Sequence, residues 1–97
     1  MLFYIQYTDK PDSLAIRERW YSEHVKWLKA HGEILVAGGF RPAPDAPPKG
    51  SIWIVQAEDR AALERLIDTD PFWVHGLRGT RDISFFNGFS SLGGWPP

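Results

Sequence analysis

The stretch LAIRERWYSEHVKWLKAH places Arg17, Trp20, Tyr21, His24, Trp27, Leu28 and His31 three or four residues apart along one stripe. Residues at that spacing share one face of a helix. The opposite side carries Arg19, Glu23, Lys26 and Lys29, as water prefers. The aromatic stripe would pack on a sheet, and Arg17 and His24, two turns apart, would then point inward with it. Histidine changes charge near neutral pH and so serves as a general acid or base. From spacing alone the plainer reading is favoured: a core histidine with a satisfied hydrogen bond, or one at the wet edge of the stripe. Asp70 precedes Pro71, and an aspartate there ordinarily caps a turn and opens the next helical segment. The alternative has Asp70 reaching His24 and fixing its tautomer.

Other side chains carry less. His24, His31 and His75 lack zinc-site spacing, there is no H-E-x-x-H, and no metal is expected. His31 falls in the last turn of its helix, where a cation complements the dipole. With no cysteine there is no disulfide, thiol nucleophile or thiolate site. Ser51, Ser84, Ser90 and Ser91 sit in no nucleophile elbow, and Gly38-Gly39 is not a phosphate loop. KGSIWIV has some likeness to an RNA-binding strand, but Trp53 is its one suitable aromatic and the charge is wrong.

The elements that must position these residues read in the order β-α-β-β-α-β. Residues 2–7 form a first strand of aromatic and β-branched residues, ended by TDKPD. Asp12 or Ser13 caps the first helix, which stops near Gly32. Residues 34–40 form a second strand, where Gly38-Gly39 permits a bulge or the close approach of a ligand or backbone. RPAPDAPPKG, with four of the eight prolines, is a stiff loop. Residues 51–57 form a third strand, Asp59 caps a helix over 60–68, and Pro71 can start a short turn at PFWVHG. Residues 81–89 form the fourth strand, and 90–97 a tail without periodicity in which Trp95 can dock. Two interleaved βαβ units give a four-stranded antiparallel sheet with both helices on one face.

At 97 residues the chain is one domain with a modest core. A hydrophobic share of 43% and a charged share of 24% exclude disorder. The net charge of −1 and pI of about 6.3 provide no field for phosphate backbones, so no nucleic-acid partner is expected. No stretch reads as a signal peptide or membrane span, which makes the cytoplasm the default location. Leu2, Tyr4 and Gln6 alternate with Phe3, Ile5 and Tyr7, and Ile52 and Ile54 alternate with Trp53, Val55 and Ala57, so both faces of both strands carry large apolar groups. Helices cover one face. A second copy of the sheet is the simplest cover for the other, giving a homodimer, with further association left open.

Against this background, Leu14, Arg17, His24 and Ala37-Gly38, followed by Asp70-Pro71-Phe72 and Gly76, resemble the YciI-like (YCII-related) proteins over residues 1–89. The resemblance implies an α+β, ferredoxin-like fold assembled as a dimeric α+β barrel. It also implies a pocket between helices and sheet with a His-Asp pair at His24 and Asp70. Some relatives act on ring compounds, among them a dehydrochlorinase of chlorinated hydroxyhydroquinone. Many relatives have glycine-proline where this chain has Gly38-Gly39-Phe40, and the GGWPP tail is not a family feature. The expected function is a cofactor-independent enzyme of small aromatic or lactone-like rings, working by elimination or isomerisation. His24 would move the proton, Asp70 would orient it, and Arg17 would hold an anionic oxygen. Trp20, Tyr21, Phe40 and Phe72 would form the apolar wall. The alternatives are a non-catalytic small-molecule binding module and a cofactor-free monooxygenase on the same fold.

Overall fold

A computed structural model of the chain describes residues 1–88. Its elements are β1 (Leu2–Asp9), α1 (Leu14–Ala30), β2 (Ile34–Phe40), β3 (Gly50–Gln56), α2 (Arg60–Ile67), α3 (Pro71–Val74) and β4 (Arg78–Phe85). The strands form one antiparallel sheet in the order β2-β3-β1-β4, the ferredoxin-like arrangement expected from the element order. Alternation decides which side chains meet the helices. Phe3, Ile5 and Tyr7 of β1 and Trp53 and Val55 of β3 are buried with Leu63 and Ile67 of α2, and Trp27 and Leu28 of α1 pack against this cluster. The other sheet face carries Tyr4, Val36 and Ile52, with Val36 51% exposed and Ile52 38% exposed.

Local chemistry accounts for the boundaries. Ser13 stands at the α1 N-cap, but its hydroxyl donates to the Lys10 carbonyl at 2.6 Å instead of capping the helix. The Asp59 side chain does cap α2, accepting from the Ala62 N–H. The helix dipole is complemented at the end of α1 by Lys29.

β1 extends two residues beyond the expected end, and its register against β4 shifts between Thr8 and Asp9. The Gly38-Gly39 pair stays in regular register, and the irregularity of β2 falls instead between Ile34 and Val36. β4 begins three residues before the expected start and ends at Phe85. Gly76, with φ of 78°, turns the chain out of α3, and Leu77 and Arg78 go directly into the core. A buried arginine at a strand start has no hydrophobic signature, which is why the sequence pattern pointed to Arg81. The expected tail at 90–97, including Trp95, lies outside the described residues.

Candidate active site

The neighbourhood of His24 follows from two sequence features, the α1 stripe and the Asp70-Pro71-Phe72 turn. Of the α1 residues, Arg17 and His24 are the two that are buried. Thr69 fixes the approach of the turn: its hydroxyl donates to the Leu66 carbonyl at 2.7 Å and accepts from the Trp27 indole N–H at 2.9 Å. Asp70 is extended, as a residue before proline prefers. Its Oδ1 accepts the Phe72 N–H at 3.2 Å, capping α3, with Pro71 at the first helical turn.

The same Oδ1 lies 2.6 Å from His24 Nδ1, and Asp70 is fully buried. A carboxylate only accepts, so this bond holds a proton on Nδ1, and in the neutral imidazole the lone pair then lies on Nε2. Phe72 stacks on the imidazole at 4.0 Å and 15°, and Trp53 lies 5.9 Å from it. The plain capping role and the histidine contact thus belong to one oxygen.

His24 lines a cavity of about 130 Å³ with Arg17, Tyr21, Val25, Leu28, Ala37, Gly38, Gly39, Ser51 and Trp53. β2 makes room for it: Ala37 and Gly39 face α1 opposite Trp53 and Ser51, where larger side chains would fill the space. Arg17, Tyr21 and Gly39 also line a wider groove of about 760 Å³ bounded by Arg41, Asp45, Pro47 and Pro48, so the inner cavity opens along the proline-rich loop.

The expected wall is only partly assembled here. Tyr21 lines the cavity, and Phe72 backs the imidazole. Trp20 is turned away, its ring parallel to His75 at 3.4 Å and covered by Arg19, tying α1 to the end of α3. Phe40 pairs with Gly50 on the opposite sheet face, where a Gly50 Cβ would lie 2.5 Å from its ring.

Arg17 is drawn into an ion cluster that the sequence did not announce. Its Nε and Nη2 donate to Asp9 Oδ2 at 3.2 and 2.7 Å, and Arg78 Nη1 donates to Asp9 Oδ1 at 2.9 Å and to Ser51 Oγ at 3.1 Å. The Arg78 side chain is 0% exposed, with its guanidinium 4.4 Å above the Tyr7 ring. Burial pulls its pKa down, and Asp9 opposes that shift. Alternation could have signalled Asp9 and Ser51, which continue the inward series Phe3, Ile5, Tyr7 and Val55, Trp53. Arg78 carried no such signal. Among the described residues, no group of three or more His, Cys, Asp or Glu is placed to hold a metal ion. No helix there is long and apolar enough to cross a membrane.

Tyr7 yields a prediction at alkaline pH. Its hydroxyl is buried, and Arg81 comes near without hydrogen-bond geometry. Burial raises its pKa above the ordinary value of 10.0. Above about pH 10 the unfolded chain ionises this phenol while the native protein keeps the proton, so the unfolded state binds fewer protons and stability falls as pH rises. Urea unfolding at rising pH should show this loss in the wild type, and Tyr7→Phe should remove its part of the slope.

The fold and the paired His24 and Asp70 define a ferredoxin-like α+β protein with a small cavity walled by a histidine. The YCII-related domain matches residues 1–87, and the chain belongs to that family. Among solved structures it is similar to 5-chloro-2-hydroxyhydroquinone dehydrochlorinase (TftG) from Burkholderia phenoliruptrix AC1100, in complex with 2,5-dihydroxybenzoquinone. The identity is 28%, with 90% of this chain and 94% of that one covered, and a TM-score of 0.82. A cofactor-independent oxygenase from Streptomyces nogalater, SnoaB, shares the fold at 16% identity, with 94% of each chain covered and a TM-score of 0.52. None of the curated proteins is significantly similar in sequence.

Proposed function

We propose that the protein is an enzyme acting on a small oxygenated ring by proton transfer through His24, with elimination of HCl from a chlorinated hydroquinone as the leading reaction. The observation that carries this reading is the 2.6 Å bond from His24 Nδ1 to buried Asp70, at the wall of a cavity of about 130 Å³. A dry cavity of roughly 150 Å³ accepts benzene, so a substituted ring would also occupy part of the groove of about 760 Å³ into which this cavity opens. Nε2 accepts a hydroxyl proton, while Asp70 orients the imidazole and stabilises the cation that forms. The net loss is one proton and one chloride. A proton moves from one hydroxyl to the ring carbon that bears chlorine; the electron pair of a second O–H bond then moves into the ring as the C–Cl pair leaves with chloride, giving a quinone, so the elimination consumes no oxidant. The likeness to the dehydrochlorinase supports the choice of substrate class.

On the same reading, a second copy covers the uncovered sheet face at Tyr4, Val36 and Ile52, forming the dimeric barrel. The deciding experiment is chloride release from 5-chloro-2-hydroxyhydroquinone by the wild-type protein, with dissolved oxygen followed in parallel. Enzyme-dependent chloride without enzyme-dependent oxygen uptake is expected. Enzyme-dependent oxygen uptake without chloride would replace elimination by oxygenation, and binding without turnover would leave a binding module.

A further inference from the structure

We propose that Ser51, together with Arg17 Nη1, forms the oxygen-binding end of the His24 cavity and orients a ring that presents a phenolate or carbonyl oxygen. This rests on the reading of that cavity as the substrate site. Ser51 is 4% exposed and faces the helices from β3. Its Oγ accepts from Arg78 at 3.1 Å and, among the described residues, donates to nothing. A hydroxyl with a lone pair held by a buried cation has its own proton free to point at a ligand, and such chains strengthen each other.

Arg17 has spent Nε and Nη2 on Asp9, leaving Nη1, which lies 4.0 Å from where a Gly39 Cβ would stand. Gly39 is the cross-strand partner of Ser51, so the two donors flank one spot on the sheet. Two guanidinium groups face the Asp9 carboxylate there, and the buried Asp70 carboxylate also acts on Arg78. A hydroxyl donor and a charged guanidinium donor flanking one spot favour an oxygen bearing negative charge.

The far end differs. Val25, Leu28, Ala37 and its cross-strand partner Trp53 offer apolar surface, and His24 lines the same cavity. Ser51 and Trp53 are two residues apart along the strand, roughly 7 Å, about the length of one substituted ring. A ring held by its oxygen at Ser51 therefore lies alongside His24 with its apolar edge toward Leu28.

The test uses 4-nitrophenol and 4-nitrotoluene, which differ by a hydroxyl in place of a methyl. The wild type should bind the phenol more tightly and shift its absorbance titration toward the anion. Ser51→Ala should weaken the phenol by about tenfold, abolish most of that shift, and leave 4-nitrotoluene unchanged. Ser51→Thr, which keeps the hydroxyl on a residue suited to a strand, should restore the shift. Equal weakening of both compounds, or an unshifted dye on the wild type, would overturn the assignment. A shifted dye that perturbs the His24 NMR signal but ignores Ser51→Ala would sink this inference alone. Failure of both compounds to bind near His24 would sink the substrate-site reading with it.

Discussion

Asp70→Asn is expected to lower kcat for proton transfer by about 10²- to 10⁴-fold, the usual worth of a positioned acid or base, in a protein that still folds. Asparagine caps helices as well as aspartate does, so the Phe72 N–H keeps its acceptor. The Oδ1 that also meets His24 Nδ1 can stay in place. What is lost is the negative charge beside the imidazole when it takes a proton. The amide nitrogen also enters the position of Asp70 Oδ2, which is buried and has no hydrogen-bond partner among the described residues. An unsatisfied buried donor costs about 1–3 kcal/mol. Turnover and thermal unfolding measured on the same sample separate the two effects. A rate loss no larger than about threefold would remove Asp70 from the chemistry and leave it as a cap.

The second large effect is on stability. Asp9→Ala is expected to cost about 3–5 kcal/mol, because removing one partner of a buried ion pair strands the other. Asp9 receives three hydrogen bonds from two arginines, and the Arg78 side chain is 0% exposed. After the substitution Arg78 keeps Ser51 Oγ as its hydrogen-bond acceptor and the Tyr7 and Phe72 rings as its cation–π contacts. Arg78→Met placed on top of Asp9→Ala should recover part of the loss, since a linear apolar side chain fills much of the same space and needs no counter-charge. Urea midpoints for the wild type, the single variant and the pair test this. A cost below about 1 kcal/mol for Asp9→Ala would contradict the account of the cluster.

The pattern of residues carried the architecture further than it carried the site. Alternation in LFYIQY and SIWIV separated Phe3, Ile5 and Tyr7 from Tyr4 and Gln6, and Trp53 and Val55 from Ile52 and Ile54, but only the fold shows which set meets the helices; the α1 stripe turned Arg17 and His24 inward. Asp70 was legible as a cap because aspartate before proline has a local cause. Its bond to His24 spans 46 residues of sequence, and no local rule reports a contact of that range. Trp20 shares the α1 spacing with the cavity residues, yet its ring finds His75. Helical periodicity gives a face but not the edge of that face a side chain occupies. Phe40 went to the other sheet face because strand alternation, set by pairing with Gly50, outweighed its nearness to the Gly38-Gly39 pair. Arg78, Asp9 and Ser51 form a polar group inside an apolar layer, assembled from three strands that only the fold brings together.

The claim at the centre is that His24 moves the proton. The most direct measurement is chloride release from 5-chloro-2-hydroxyhydroquinone by the wild type and by His24→Gln at saturating substrate. Glutamine keeps a polar side chain near Asp70 but cannot accept a proton at neutral pH. The account predicts a kcat lower by about 10²-fold or more, with the fold retained. Chloride release by His24→Gln at the wild-type rate would contradict it.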